Sequence, residues 1–192
     1  MCVRKNLCRD ESGVSAVEFG LIAPVFLMML MGFFDLGYNV YAKSILQGAM
    51  QEAARTSTIE GATVASLDSR IKSSVQTVLP RANLSFDRRA YSNFSEVRQA
   101  EDFDDTDGNG LCDNGELFED INGNGVWDSD RGVSGQGDAR EAVLYTATMT
   151  YQRAFPIAGF IGLSNTFTTS ETTVLRNQPF SLQPERAETG NC

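Results

Sequence analysis

The chain has 192 residues, with 16 Lys+Arg against 25 Asp+Glu, a formal net charge of −9 and no histidine. Its length suits one domain or one domain with an appended segment, and 42% apolar residues are enough for a modest core. Without histidine there is no Ser-His or Cys-His dyad, no His-ligated zinc and no His general base, and the acidic balance argues against nucleic acid as a partner.

Residues 1–13, MCVRKNLCRDESG, are polar and carry Arg4, Lys5 and Arg9. From Phe19 to Phe34, FGLIAPVFLMMLMGFF, sixteen residues follow without a charge. A bilayer core needs about 20. Extension to Ala42 supplies 24 and includes one acid, Asp35. An ionised Asp costs roughly 2.5–3.5 kcal/mol at the centre of a span and less towards an end, so insertion stands. A buried core helix is the alternative, but so continuous an apolar run is unusual in a small protein. The run then passes into YAKSILQGAMQEAARTS, where Ile45, Leu46, Ala49, Met50, Ala53 and Ala54 recur at helical spacing. One helix of about 40 residues, ~60 Å long, is expected. Its transmembrane part covers about residues 19–42, and its amphipathic half packs on an exported head. The basic residues ahead of the span place the N-terminus in the cytoplasm.

The stretch Gly13-Val14-Ser15-Ala16-Val17-Glu18-Phe19 resembles a prepilin-peptidase site. The continuation resembles the TadE-like family of the bacterial tight-adherence (Tad) pilus system. The matching features are Ala16-Val17-Glu18-Phe19, Pro24 inside the apolar run, the Gly32 to Gly37 segment with its acid, and Gln51-Glu52-Ala53-Ala54-Arg55. The resemblance implies a minor pilin or pseudopilin of the bacterial inner membrane, cleaved after Gly13 by a prepilin peptidase. Its implied partners are other pilin-like subunits and the inner-membrane assembly platform. Glu18 would pair with the new Val14 amine of a neighbouring subunit, or else sit at the lipid headgroups. Pro24, lacking an N–H, is expected to kink or locally melt the helix.

Beyond the long helix, Val64, Leu67, Ile71, Val75 and Val78 are spaced by three and four, predicting a second helix over 62–79 ended by Pro80. Weak alternation over 84–97 predicts a strand. AVLYTATMTYQRAF (142–155) and FTTSETTVLR (167–176) predict a pair of strands, joined by an apolar connection at 156–163 that would pack on the helix. The expected fold class is α+β: a pilin-like helix over 14–60, then a head over 61–192 with a short helix and a small antiparallel sheet.

Inside that head, residues 101–131 hold eleven acids and one base, Arg131, a sum of −10, whereas the other 161 residues sum to +1. Asp105, Asp107, Asn109, Gly110, Leu111, Asp113 and Glu116 satisfy the EF-hand loop pattern D-x-[DN]-x-[DN]-G-x5-E. Short oxygen ligands wrap a calcium ion, glycine at the sixth place allows the turn, Leu111 offers its carbonyl, and a bidentate Glu closes the shell. The pattern recurs fifteen residues later, with Glu101-x-Phe103 aligned to Glu116-x-Phe118. Asp120, Asn122, Asn124, Val126 and Asp128 then repeat the ligand places, but Arg131 stands where the closing Glu belongs. Asp130 is the available substitute; otherwise the second site is weak or empty. A solvated acidic loop is the alternative reading, opposed by the tandem repeat and the embedded Phe103, Leu111, Phe118, Val126 and Trp127. The flanks lack amphipathic helices, so the loops resemble bacterial calcium loops rather than paired sensor EF-hands. One bound calcium is expected and a second is possible.

Cys2 and Cys8 would leave with the leader, which leaves Cys112 and Cys192 as the candidate disulfide in an oxidising compartment. No nucleophile stands beside a base, and the expected protein is not an enzyme.

Overall fold

A computed structural model describes residues 13–57, 63–137, 141–155, 159, 162, 164–176 and 188–192. The leader, with Cys2 and Cys8, lies outside the described residues, as does most of the 156–163 connection.

Helix α1 runs unbroken from Val14 to Thr56 and contains Pro24. Its first turn starts directly after Gly13, whose carbonyl accepts from Val17 N–H at 3.2 Å. Its length agrees with the expected helix. Helix α2, Val64–Val78, is shorter at its start than the expected 62–79 because Thr63 caps it. The Thr63 hydroxyl accepts from Ser66 N–H, and the Ser66 hydroxyl accepts from Thr63 N–H. This reciprocal capping satisfies two otherwise orphaned donors.

The first sheet contains β1 (Asn83–Tyr91), β3 (Val133–Ser134), β4 (Ala142–Gln152) and β5 (Thr166–Arg176), in the order β3-β1-β4-β5. Strand β1 pairs antiparallel with β4 from Asn83↔Thr150 to Tyr91↔Ala142. Thr146–Thr172, Thr148–Ser170 and Thr150–Thr168 hydroxyl pairs cross from β4 to β5 on the exposed face. The expected strand over 84–97 ends early: a single 3-10 turn, Phe94–Glu96, follows β1. The expected strand over 142–155 likewise stops at Gln152. A second, two-stranded sheet pairs β2 (Leu117–Asp120) with β6 (Glu188–Asn191), an element the sequence pattern did not indicate.

The described chain divides into two compact units. One contains residues up to Tyr41 together with Gln152–Phe167. The other contains Ala42–Tyr151 and Thr168–Cys192. The core of the second is built from Ala42, Leu46, Ala49, Met50 and Ala53 of α1, Leu67, Ile71 and Val75 of α2, and Val143, Tyr145, Ala147, Met149 and Tyr151 of β4. The period-two burial of β4 is what a half-buried strand requires, and the threes and fours of the helices give each one apolar stripe.

A polar clasp lies at the edge of that core. Tyr145 Oη donates to Asp68, Arg88 pairs with Asp68, and the Arg88 guanidinium lies 4.1 Å over the Tyr145 ring. Burial, then the bond to Asp68, raise the Tyr145 phenol well above its ordinary range.

Candidate functional site

The acidic insert folds as two loops around the β2–β6 ribbon. Asp104 N–H donates to Leu117 O and Glu119 N–H to Asp102 O, both at 2.8 Å, so residues 102–104 flank β2 on its other side. Phe118 is buried, and Gly190 is required beside it because a Cβ there would stand 2.3 Å from the ring. The C-terminus is held in the same place: Cys192 N–H donates to Glu116 O at 2.8 Å. Cys192 is disulfide-bonded to Cys112 with a Cα–Cα distance of 5.6 Å, within the usual range.

Both loops wind the same way. In the first, Asp105 accepts the backbone N–H groups of Gly108, Asn109 and Gly110 at 2.7–3.1 Å. In the second, Asp120 accepts those of Gly123, Asn124 and Gly125 at 2.7–3.1 Å. Asp107 and Asn122 each accept from the fifth position, Asn109 and Asn124, at 3.0 Å. Gly110 and Gly125 have φ of 77° and 78°, the left-handed conformation that the sixth position demands.

The closing carboxylates are where sequence and structure diverge. In the first loop Glu116 closes as expected, taking Thr106 N–H at 2.7 Å and Asp113 N–H at 3.4 Å. Burial opposes ionisation of Glu116, but the Thr106 N–H and hydroxyl outweigh it and hold its carboxyl below the ordinary glutamate range. In the second loop neither Asp130 nor Arg131 closes. Asp130 accepts from Arg89 at 3.0 Å and from Tyr91 Oη at 2.9 Å. Burial, then that hydrogen bond, push the Tyr91 phenol up to about 12. Arg131 donates to Ala100 O and to Asp102. The closing place belongs to Glu101, which takes Ile121 N–H and Asp128 N–H, each at 2.9 Å. These are the second and ninth positions of the loop, the same two that Glu116 takes in its own.

Glu101 is held there by its backbone. Its N–H donates to Asp128 O at 2.9 Å, and its carbonyl accepts from Trp127 Nε1 at 2.8 Å. The Phe103 ring meets Trp127 edge-on, with centroids 5.7 Å apart. Glu101 is 2% exposed and Glu116 4% exposed, and neither has a basic partner among the described residues. The signal was present in the sequence, since Glu101-x-Phe103 aligns with Glu116-x-Phe118. A repeat unit starting at the Glu assigns each Glu to the other unit's loop.

The donor sets differ. Carboxylate oxygens of Asp105, Asp107 and Glu116 lie within 4.8 Å of one another. The second loop has Asn122 where the first has Asp107, and Asn122, Asn124 and Asp128 line an open cleft of about 400 Å³. Leu111 and Val126 are exposed at the seventh positions, where only the backbone carbonyl is needed.

The other site is the start of α1. Gly13, Val14, Glu18 and Phe19 are all exposed, and Glu18 has no ion-pair partner among the described residues. No residue from Gly13 to Phe34 is buried; the first that is buried is Asp35. Asp35 is paired with Arg153, and Asn39 Nδ2 donates to it at 3.2 Å. Sequence reasoning found the acid but not its counter-ion. Helix α1 is long and apolar enough to cross a membrane.

No curated protein and no solved structure matches this chain. A family model does match its N-terminal segment: residues 13–55 are similar to TadE-like protein, a Tad pilus-associated family of structural, non-enzymatic kind.

Proposed function

We propose that this chain is a TadE-like minor pilin or pseudopilin, anchored by α1 in the bacterial inner membrane and carrying a calcium-stabilised head outside the cytoplasm. The observation that carries this reading is the family match over 13–55, which coincides with a helix starting directly after Gly13 and exposed along its apolar first half. In this reading a prepilin peptidase cuts after Gly13 and leaves Val14 as the new terminus. Glu18 then supplies a carboxylate within the apolar layer, where it is costly unless an amine from a neighbouring subunit meets it.

The head binds calcium through hard oxygen donors. Asp105, Asp107, Asn109, the Leu111 carbonyl, Asp113 and Glu116 hold one ion. Asp120, Asn122, Asn124, the Val126 carbonyl, Asp128 and Glu101 hold the other. Bound calcium supplies positive charge to a segment that otherwise repels itself. The work of the molecule is packing and ordering, with no bond made or broken.

Intact mass of the protein taken from a membrane fraction tests the reading. Loss of residues 1–13 is expected. An unprocessed terminus favours the other class, a membrane-anchored calcium-binding adhesin that never enters a filament.

A further inference from the structure

The Asp35–Arg153 pair has a position that the anchoring role alone does not explain. Before it, the helix surface is entirely apolar apart from Ser15 and Glu18, with Leu21, Ile22, Val25, Met29, Phe33 and Phe34 all more than half exposed. At Asp35 burial and polarity begin together: Asp35 is 8% exposed and Asn39 5%. Arg153 reaches Asp35 from the start of the β4–β5 connection, and its Nε donates to Ser164 O at 3.1 Å. Its backbone N–H donates to Asn165 O at 2.8 Å. The two ends of that connection are therefore held together at the level of the pair.

Between those ends, residues 154–163 read AFPIAGFIGL, with no charged or polar side chain. Phe155, the second of them, stacks on Phe34, the last apolar residue before the acid, with ring centroids 6.2 Å apart. Phe155 thus lies on the apolar side of the pair. Distances agree with a boundary there. Val14–Phe34 is 21 residues, or ~31 Å of helix, against a hydrocarbon layer of about 30 Å. Tyr38 and Tyr41 follow within two turns, where amphipathic rings collect at a membrane surface. Electrostatics points the same way. Asp35 Oδ1 is buried without a hydrogen-bond partner, a cost that rises steeply with depth in hydrocarbon and is smallest at its edge.

We infer that the Asp35–Arg153 pair marks the membrane–water boundary, with Val14–Phe34 in the hydrocarbon and Phe155 entering the same layer. The chain then contacts the bilayer at two separate places, the helix and Phe155. The partner is the lipid itself, and the embedded stretch ends at Phe34 rather than at Ala42. Arg153 is a positioning residue, since it ties the second contact to the level of the first. This rests on α1 crossing a membrane.

The test uses the full chain with C2S and C8S, its Cys112–Cys192 disulfide intact, in phosphatidylethanolamine/phosphatidylglycerol vesicles. Single cysteines replace Met28, Phe155, Val40 or Ser164, and a water-soluble maleimide is supplied on both sides. Val40→Cys and Ser164→Cys are expected to react. Met28→Cys and Phe155→Cys are expected to react about tenfold more slowly, because hydrocarbon excludes the reagent, until detergent is added. Rapid labelling at residue 28 overturns the membrane-spanning reading itself. Protection at 28 with rapid labelling at 155 leaves the span and removes the second contact. Protection at 40 moves the boundary past Asp35 and overturns the role of the pair. Phe155→Trp, which keeps the aromatic stack, gives a second measurement. Quenching by brominated lipid above the Trp127 background is expected, and its absence counts against the second contact.

Discussion

Glu101 accepts the backbone N–H groups of Ile121 and Asp128, 20 and 27 residues further along the chain, at 2.9 Å each. It thereby does for the second acidic loop what Glu116 does for the first. The two loops are consequently not independent beads. The carboxylate that closes the later loop precedes the earlier one, so forming either arranges residues around the other.

Glu101→Gln is expected to weaken the second calcium site and leave the first filled, reducing the calorimetric stoichiometry from two to one at moderate calcium. Glu116→Gln is expected to act on the first. Asp130→Asn is expected to leave both unchanged, because its carboxylate is engaged by Arg89 and Tyr91. Loss of a site in Asp130→Asn with none in Glu101→Gln would reverse the assignment.

Chelation gives a simpler measurement. If each site has a dissociation constant of about 0.1 mM, calcium at 1 mM stabilises the folded head by roughly 1.4 kcal/mol per site. Thermal melting in calcium and in chelator should differ by several degrees. Coincident curves would remove the calcium proposal.

The Cys112–Cys192 bond closes a separation of 80 residues. Chain-entropy arithmetic gives ~4.5 kcal/mol for such a loop, and measured values usually fall at about 2–4. Denaturant unfolding of C112S/C192S should show a loss of that order. The β2–β6 ribbon should lose amide-exchange protection first, since the bond anchors its C-terminal strand.

Alkaline pH should attack the polar clasp. Tyr145 has its pKa raised in the folded state by burial and by its bond to Asp68. A neutral phenol favoured by folding contributes stability that is complete below the unfolded value of about 10 and is lost as pH rises above it. Stability should therefore be insensitive to this group up to about pH 10 and fall beyond it. Tyr145→Phe should flatten that limb; an unchanged limb would place its origin elsewhere.

Glu18→Ala is expected to impair incorporation into an assembly while the head keeps its melting temperature. Glu18 is exposed on α1 at the opposite end of the apolar stretch from Asp35, so nothing in the head depends on it. Normal incorporation would contradict its pairing role.

The long helix, the second helix and the β4 and β5 strands were legible because each depends on local periodicity. Apolar residues at threes and fours, or at twos, have only one way to present a single face. The winding of the first acidic loop was legible for a related reason: every one of its proposed side-chain ligands, Asp105 to Glu116, lies within twelve consecutive residues. The β2–β6 ribbon was not, because Gly190 matters only when the Phe118 ring lies against it. Arg153 opposite Asp35 was missed for the same reason, and the Glu-x-Phe repeat that pointed to Glu101 did not reveal its place opposite Ile121 and Asp128. Both are charged groups whose cost or value depends on a partner far along the chain. By itself, then, the sequence determined the two helices, the β4 and β5 strands and the ligand-like spacing of the first acidic loop, since those follow from neighbours. Only the tertiary structure decided which carboxylate closes which loop and which cation meets the acid in the helix. Electrostatic pairing acts through space, between residues that sequence order leaves 20 to 118 positions apart.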